Sequence, residues 1–237
     1  MQKIFVVIIG VGEGLGFSLA KKFLAQNYQV IIIARNQKKL DDLINSLNHP
    51  SGLYAISADM SDEVQIVNAF QKIKQEYKLP EILIYNASAT FTMKEIMEIT
   101  PSDFLTAWKI SCYGGLLSSQ QVIPNMLENK KGTIIFTGAT ASLRGGIGTA
   151  AFAVGKFSQR ALSQSMAKEL GPKGIHVAHV LVDGFIATPN NIKQFSNRSL
   201  DTFLSPDAIA DMYLYLCKQS PTAWTHELDL RPYTEKF

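Results

Sequence analysis

The sequence predicts a single α/β domain in which a doubly wound parallel sheet is covered by helices on both faces. The length of 237 residues suits one such unit. Short, continuous apolar runs, typical of strands buried on both faces, alternate with segments of helical periodicity. This alternation produces right-handed βαβ crossovers and therefore a parallel sheet. We expect residues 1–237 to form one domain.

Seven apolar segments are the predicted strands. The first begins almost at the start of the chain and is followed directly by a glycine-rich turn. The second and third also end at polar residues, as strands do when they reach the edge of a sheet. The predicted strands are residues 4–9, 30–34, 53–57, 81–85, 132–137, 175–182 and 224–230.

Helical periodicity occupies most of the chain between these strands. The clearest helical segment stops at Gly171-Pro172, a strong helix terminator. The predicted helices are residues 15–26, 40–47, 64–77, 102–126, 152–170 and 207–218. The polar residues 189–205 follow the sixth strand, where we expect either a lid over a substrate or ordinary surface helices.

Composition excludes several classes of function. The net charge of +3 is spread along the chain, which argues against a nucleic-acid partner. No apolar run approaches the roughly 20 residues needed to span a bilayer, so no membrane partner is expected. Cys112 and Cys217 stand alone and fit neither a disulfide framework nor a metal site. We expect a soluble cytoplasmic protein without a bound metal.

A glycine-rich turn after the first strand predicts dinucleotide binding. Gly10, Gly14, Leu15 and Gly16 lie between a buried strand and the start of a helix. Glycine lets the backbone approach a pyrophosphate, and the helix N-terminus offers free N–H groups to it. The strict G-x-G-x-x-G pattern fails because Leu15 occupies the third glycine position. The position of the turn is still typical of a Rossmann-like nucleotide-binding sheet.

The end of the second strand favours NADP(H) over NAD(H). An acid at this point usually holds the ribose hydroxyls of NAD, and an arginine accommodates the 2′-phosphate of NADP. Here the sequence is Ala34-Arg35-Asn36, without an acid. Arg35 can hold a phosphate through two parallel hydrogen bonds. Glu13 opposes this preference, because it would repel a nearby phosphate.

Nearly the whole chain resembles the short-chain dehydrogenases/reductases. The turn at Gly10, Gly14 and Gly16 resembles their T-G-x-x-x-G-x-G motif, and residues 183–188 resemble their P-G-x-x-x-T motif with Asp183 in place of proline. The resemblance implies an NAD(P)-dependent oxidoreductase. It also implies contacts of particular residues with the cofactor, namely Asp59 and Met60 at the adenine, Asn86 and Lys156 at the ribose, and Ile186 and Thr188 at the carboxamide.

The departures from this family fall on its catalytic residues. The family's Asn-Ser-Tyr-Lys tetrad corresponds to Ser111, Ala139, Phe152 and Lys156. Neither Ala139 nor Phe152 can donate a side-chain hydrogen bond, so the usual general acid and the donor to the alkoxide are absent. The chain resembles an atypical subgroup with an F-A-x-x-K variant of the motif.

Several residues are candidates to replace the missing proton donor. Thr140 directly follows Ala139, and Ser142 lies two positions further on. Tyr113 would need a helical shift to point inward, and His179 fits a packed core histidine better than a catalytic one. Arg144 is a candidate for binding an anionic substrate, although an ordinary loop arginine is the simpler interpretation.

Three hypotheses therefore remain open. The first is an atypical NADP(H)-dependent oxidoreductase acting on a carbonyl or alcohol with a non-standard proton donor. The second is a catalytically silent NADP-binding protein, and the third is an interaction scaffold without a nucleotide. The family resemblance also implies a homodimer or homotetramer formed through the helices at 102–126 and 152–170 and through the last strand at 224–230.

Overall fold

All strands of the sheet run in the same direction, because a crossover connection joins each strand to the next strand along the chain. The computed structural model describes residues 3–235. Within that range the sheet has the order β3-β2-β1-β4-β5-β6-β7, and every paired register is parallel. The strands are β1 Phe5–Ile9, β2 Gln29–Ala34, β3 Leu53–Ser57, β4 Ile82–Tyr85, β5 Gly132–Thr137, β6 Ile175–Val182 and β7 Glu227–Leu230.

Helices cover both faces of this sheet, as the sequence predicts. They are α1 Leu15–Ala25, α2 Gln37–Ser46, α3 Glu63–Glu76, α4 Pro101–Trp108, α5 Gly114–Glu128, α6 Ala150–Leu170, α7 Pro189–Gln194 and α8 Pro206–Cys217. One apolar cluster joins the sheet to α3, α5 and α6. The other joins the sheet to α1, α2 and α8. The two clusters explain why β1 and β6 are apolar along almost their whole length.

The predicted helix over residues 102–126 contains an interruption. A π-helical segment, Lys109–Tyr113, separates α4 from α5 and includes the buried Ser111. π-Helical turns inside α-helices are frequent at functional sites. Helical periodicity alone does not reveal such a turn, because the apolar pattern continues on both sides of it.

Local side-chain contacts accompany two further differences from the predicted bounds. The second helix begins at Gln37 rather than at residue 40, because the side chain of Asn36 accepts a hydrogen bond from the N–H of Lys39 at 3.1 Å. The last strand begins at Glu227 rather than at residue 224, where the ring of Trp224 instead stacks on His176 with a centroid distance of 4.9 Å.

The strand order identifies where a ligand can bind. The sheet grows from β1 toward β3 on one side and from β4 toward β7 on the other. In open α/β sheets, ligands bind beyond the carboxyl ends of the strands at this reversal point. Across residues 3–235, no helix has the length and apolarity needed to cross a bilayer.

Candidate functional site

The first turn of the site requires glycine for a steric reason. Gly10 has φ of +87°, and a Cβ atom there would lie 2.4 Å from the backbone nitrogen of Ala87. The side-chain amide of Asn86 donates a hydrogen bond to the carbonyl oxygen of Gly10 at 2.7 Å. Asn86 therefore links the ends of β1 and β4, on either side of the reversal point.

The start of α1 forms the second part of the turn. A Cβ on Gly16 would lie 2.7 Å from Cα of Val11, and one on Gly14 would lie 2.7 Å from Cγ2 of Thr188. Gly14 supplies no side-chain cap to α1, and the side chain of Leu15 is buried in the core. The predicted contact of Leu15 with a cofactor can therefore come only from its backbone. Bare N–H groups at a helix N-terminus are suited to bind phosphate.

A cleft of about 980 Å³ opens beside this turn. Its walls come from the ends of β1, β2, β3 and β4, and they contain both polar and apolar groups. The predicted cofactor residues Gly10, Arg35, Asp59, Met60 and Asn86 all line it. The volume of the cleft fits a dinucleotide, and the glycines let a ligand approach the backbone closely.

Basic side chains gather at one end of this cleft. Arg35, Lys38 and Lys39 line its wall next to Asn36, and all of them are exposed. Glu13 is also exposed, but it is not among the lining residues of this cleft. The concentration of positive charge at the end of β2 matches the position where the sequence predicts binding of a 2′-phosphate.

Asp59 is held in a fixed orientation at the end of β3. Its Oδ1 atom accepts hydrogen bonds from the N–H and the hydroxyl of Ser61, at 2.8 and 2.7 Å. The backbone N–H of Asp59 donates to Oε1 of Gln65 at 3.0 Å. These bonds leave Oδ2 as the carboxylate oxygen available to a ligand. Met60 is buried, so its side chain can form only the floor of the cleft.

Ile186 and Thr188 already take part in internal hydrogen bonds. Thr188 caps α7 by accepting from the N–H of Asn191 at 3.1 Å. The carbonyl of Ile186 accepts from the side-chain amide of Asn191 at 2.9 Å. This segment stays close to the glycine turn, because Thr188 lies directly against Gly14. A carboxamide would meet the backbone N–H of Ile186 and the remaining lone pairs of these oxygens.

Lys156 points into the core. Its side chain is only 2% exposed, and its ammonium nitrogen donates to the carbonyl oxygen of Thr137 at 2.7 Å. Oε1 of Gln159 lies 3.5 Å from the same nitrogen. Burial lowers the pKa of Lys156 to about 7, because desolvation penalises the charged form.

Ser111 lies in the π-helical segment close to Lys156. Its carbonyl oxygen accepts from the side-chain amide of Gln159 at 2.9 Å. Its hydroxyl is fully buried and has no hydrogen-bond partner within residues 3–235. Gln159 thus connects Lys156 to Ser111 by a side-chain bridge. The sequence analysis did not single out Gln159, although its i+3 spacing from Lys156 on α6 puts both residues on one face.

Ala139 and Phe152, where the family resemblance predicts hydroxyl groups that these side chains lack, are both half-buried. Phe152 meets Phe91 edge to face with a centroid distance of 5.3 Å. Ala139 precedes a short 3₁₀ turn, Thr140–Ser142, and its N–H donates to the hydroxyl of Ser142 at 3.1 Å. Phe152 also lines a smaller pocket of about 230 Å³ that shares Arg35 and Ile110 with the larger cleft.

The other candidates for a proton donor have different surroundings. The hydroxyl of Thr140 donates a hydrogen bond to Oδ1 of Asp183. The hydroxyl of Tyr113 donates to Oε2 of Glu63 at 2.8 Å on the exposed side of the helix. His179 is fully buried, and neither ring nitrogen has a hydrogen-bond partner, although Nδ1 lies 3.3 Å from Oε1 of Glu227. Arg144 is exposed.

Asp183 is a buried carboxylate at the end of β6, where the sequence pattern predicts only a departure from the family's proline. An acidic residue directly after a buried strand was the available signal, but its partners Thr140 and Arg231 are distant in sequence. Among residues 3–235, no group of three or more histidine, cysteine, aspartate or glutamate side chains is placed to hold a metal ion.

Comparisons with known proteins agree with this geometry. The family model for short chain dehydrogenases matches residues 4–199. Mouse 3-ketodihydrosphingosine reductase is 27% identical over 223 residues, covering 92% of this chain but 65% of the mouse enzyme. NADPH-dependent pterin aldehyde reductase of Arabidopsis thaliana is 28% identical over 205 residues, covering 86% of this chain and 84% of that enzyme.

A solved structure is also similar over almost the whole chain. A crystal structure of a short-chain dehydrogenase from Rhodopseudomonas palustris superposes with a TM-score of 0.83 at 36% identity. The match covers 98% of this chain and 100% of the other. The parallel sheet and the strand order are therefore accompanied by sequence similarity above the level that a shared fold alone requires.

Proposed function

The chain belongs to the short chain dehydrogenase family, and on that premise we propose that it is an NADP(H)-dependent oxidoreductase that interconverts a carbonyl and an alcohol with a non-standard proton donor. The observation that carries the proposal is the glycine turn. The side-chain amide of Asn86 donates a hydrogen bond to this turn, and the turn borders a cleft of about 980 Å³. Gly10, Gly14 and Gly16 each adjoin atoms that a side chain would strike. Such a turn has a clear use if a phosphate approaches the backbone closely.

Different residues of the site are proposed to bind different parts of the cofactor. The N–H groups at the start of α1 hold the pyrophosphate, and Asp59 with the backbone at Met60 holds the adenine. Asn86 fixes the turn, while Ile186 and Thr188 orient the carboxamide. When bound, the nicotinamide donates or accepts the hydride, which is chemistry that no side chain supplies.

The preference for NADP(H) rests on charge at the end of β2. Arg35, Lys38 and Lys39 line the cleft there, and Asn36 stands where an NAD-type site usually has an acid. A guanidinium can form two parallel hydrogen bonds with a 2′-phosphate. The relative from Arabidopsis thaliana is NADPH-dependent by its name, which agrees with this preference.

A catalytically silent NADP-binding protein is the second candidate. Two observations favour it: Ala139 and Phe152 carry no proton donor, and the ammonium of Lys156 is bound to Thr137 within the core. A chain that binds the cofactor but transfers no hydride would act as a sensor or a scaffold. Turnover therefore has to be measured separately from binding.

Assembly and substrate access are also part of the proposal. Phe104 and Leu105 on α4, and Val154 and Phe157 on α6, are exposed apolar side chains. Burying them between subunits would remove apolar area from water, so we expect a homodimer or homotetramer. Residues 189–205 are proposed as a substrate lid, anchored where Ile186 forms a bridge with Leu204.

The test of the cofactor site is calorimetric titration with NADPH and NADH. The wild-type protein is expected to bind NADPH at least tenfold more tightly than NADH. Because hydrogen bonds to charged groups contribute about 1.5–3 kcal/mol, Arg35→Ala should weaken NADPH binding roughly 10- to 100-fold and leave NADH binding nearly unchanged. Lys173→Ala, which removes an exposed charge outside the cleft, is the matched control. If the protein binds neither NADPH nor NADH, the proposed function is wrong.

A further inference from the structure

A buried carboxylate lies beside the position where the family's serine is missing. Asp183 follows β6 directly, its side chain is only 2% exposed, and its N–H donates to the carbonyl of Leu230 at 2.8 Å. Burying a charged carboxylate is costly unless hydrogen bonds and an opposite charge compensate it. The partners of its two oxygen atoms therefore decide what this group can do.

Each oxygen of Asp183 has a different partner. Oδ1 accepts the hydrogen bond from the hydroxyl of Thr140, and Oδ2 lies 3.5 Å from Nη2 of Arg231. The same guanidinium nitrogen also contacts Oδ2 of Asp229. Arg231 is thus shared between two carboxylates, whereas the hydroxyl of Thr140 is directed to Asp183 alone. Within residues 3–235, the charged groups that these contacts bring to Asp183 are the guanidinium of Arg231 and, beyond it, the carboxylate of Asp229.

Thr140 is the more accessible member of this hydrogen-bonded pair, and it directly follows Ala139. Thr140 is half-buried, while Asp183 behind it is almost completely buried. The turn that presents Thr140 is fixed, because Ser142 accepts the N–H of Ala139. As the hydroxyl proton of Thr140 points to Asp183, its lone pairs remain free to accept a proton from another group.

We propose that Thr140 is the catalytic residue that exchanges a proton with the substrate oxygen, and that Asp183 is the positioning residue that orients Thr140 and takes up its proton. The inference rests on the proposed oxidoreductase function and extends it. It assigns the missing proton route to a buried Thr–Asp pair, with Arg231 holding the carboxylate in place.

The proton steps balance in both directions. In alcohol oxidation the substrate O–H bond breaks, its proton moves to Oγ1 of Thr140, and the proton of Thr140 moves to Oδ1 of Asp183. The hydrogen of the carbinol carbon leaves with its electron pair to the oxidised nicotinamide of the proposed cofactor. After the product leaves, Asp183 returns its proton to Oγ1 of the half-buried Thr140, which passes a proton on to water in the emptied site. In carbonyl reduction the same proton moves in reverse, from Asp183 through Thr140 to the alkoxide.

The experiment compares variants of the two residues with NADPH and a set of aliphatic and aromatic aldehydes. Thr140→Val and Asp183→Asn should each lower kcat by about 100-fold or more, the range for loss of a general acid–base group. The double variant should lose no more than either single variant, because the two residues act as one unit. Thr140→Ser keeps the hydroxyl and should stay within tenfold of the wild-type kcat.

Two further readouts separate this role from a structural one. Calorimetry should give the same NADPH affinity for all variants within a factor of two. In urea unfolding, the midpoint shifts of Thr140→Val and Asp183→Asn should not add in the double variant, because the two side chains are in contact. Tyr213→Phe removes a different buried hydroxyl pair, with Thr137, and should lower the midpoint without lowering kcat.

The possible failures are distinguishable. If the wild-type protein reduces aldehydes and the Thr140 and Asp183 variants do so equally well, the proton route is wrong and the proposed function stands. Additive losses in the double variant would also overturn the route. If the wild-type protein binds NADPH but turns over none of the aldehydes, both the route and the proposed activity are wrong. If Asp183→Asn does not fold, the kcat values of Thr140→Val and Thr140→Ser are compared instead. Equal values would show that the hydroxyl at residue 140 is not needed and that the proton route is wrong.

Discussion

The ammonium nitrogen of Lys156 donates a hydrogen bond to the carbonyl oxygen of Thr137 at 2.7 Å. Thr137 precedes Ala139 by two residues in the chain. Among the four residues that the family resemblance predicts to correspond to the tetrad, Lys156 is the one whose residue type matches. Its surroundings are a backbone carbonyl and the amide of Gln159, with no acidic partner at either contact. The charge on this side chain is therefore costly to the folded state.

Replacing Lys156 should stabilise the protein and flatten its pH dependence. Burial lowers the pKa of Lys156 from 10.5 to about 7, so between those values the unfolded chain binds more protons than the folded one. Stability then rises with pH across that window. The wild-type unfolding free energy should increase by roughly 3 kcal/mol between pH 7 and 9.5, since each pKa unit is worth about 1.4 kcal/mol. Lys156→Met should lack this increase, as measured by urea unfolding.

The control for this measurement is Lys168→Met on the same helix, at an exposed position. Its effect on the pH dependence should be negligible, because the side chain of Lys168 is in contact with water in the folded state as it is in the unfolded chain. An identical pH dependence in wild-type protein and Lys156→Met would show that Lys156 is solvated in solution.

A side chain at Gly16 should disrupt the turn that supports the cofactor. In Gly16→Ala the new Cβ would lie 2.7 Å from Cα of Val11 and 2.8 Å from the carbonyl oxygen of Gly10, both backbone atoms. Because backbone cannot move aside cheaply, we expect a loss of about 1–3 kcal/mol in the unfolding free energy. Gly12→Ala meets nothing within 4 Å and should change it by less than about 0.5 kcal/mol. Equal stability of the two variants would contradict the tight turn.

Restoring the family's catalytic pair tests which proton route operates. Ala139→Ser combined with Phe152→Tyr supplies the two missing hydroxyls, and loss of such a general acid typically costs about 10²–10⁴-fold. The double variant should create or increase aldehyde reduction with NADPH if the pocket is otherwise intact. Ala223→Ser, which adds a hydroxyl at an exposed position outside the cleft, should leave the rate unchanged. A lower rate in the double variant would favour an alternative route that the new hydroxyls disturb.

The buried His179 should make the protein sensitive to acid. Burial lowers the pKa of His179 below its ordinary value of 6.5, and the opposing effect of the Glu227 carboxylate does not cancel it. Because the folded state holds the proton less tightly, stability is fully present above pH 6.5 and is lost as the pH falls below it. His179→Leu, of similar volume, should reduce this loss between pH 6.5 and 5 in urea unfolding. A steeper acid loss in the variant would show that Glu227 stabilises a protonated His179.

Local patterns predicted most of the fold because buried strands and amphipathic helices have different apolar periods. The strands β3 and β5 have the predicted bounds, and α6 differs only at its start. The main internal difference is the π-helical segment around Ser111. Its apolar pattern matches that of an α-helix over so few residues that periodicity cannot separate the two.

Residue types at fixed spacing were sufficient to predict the fold class, the glycine turn and the absence of side-chain hydroxyls at Ala139 and Phe152. Tertiary structure alone decided that Lys156 is bound to Thr137 and that Thr140 meets Asp183 across 43 positions of the chain. It also brought Arg231 from beyond β7 to that carboxylate. Such contacts depend on which strands end side by side in the sheet. A local pattern of side chains does not predict these contacts, because the residues involved are far apart in the chain.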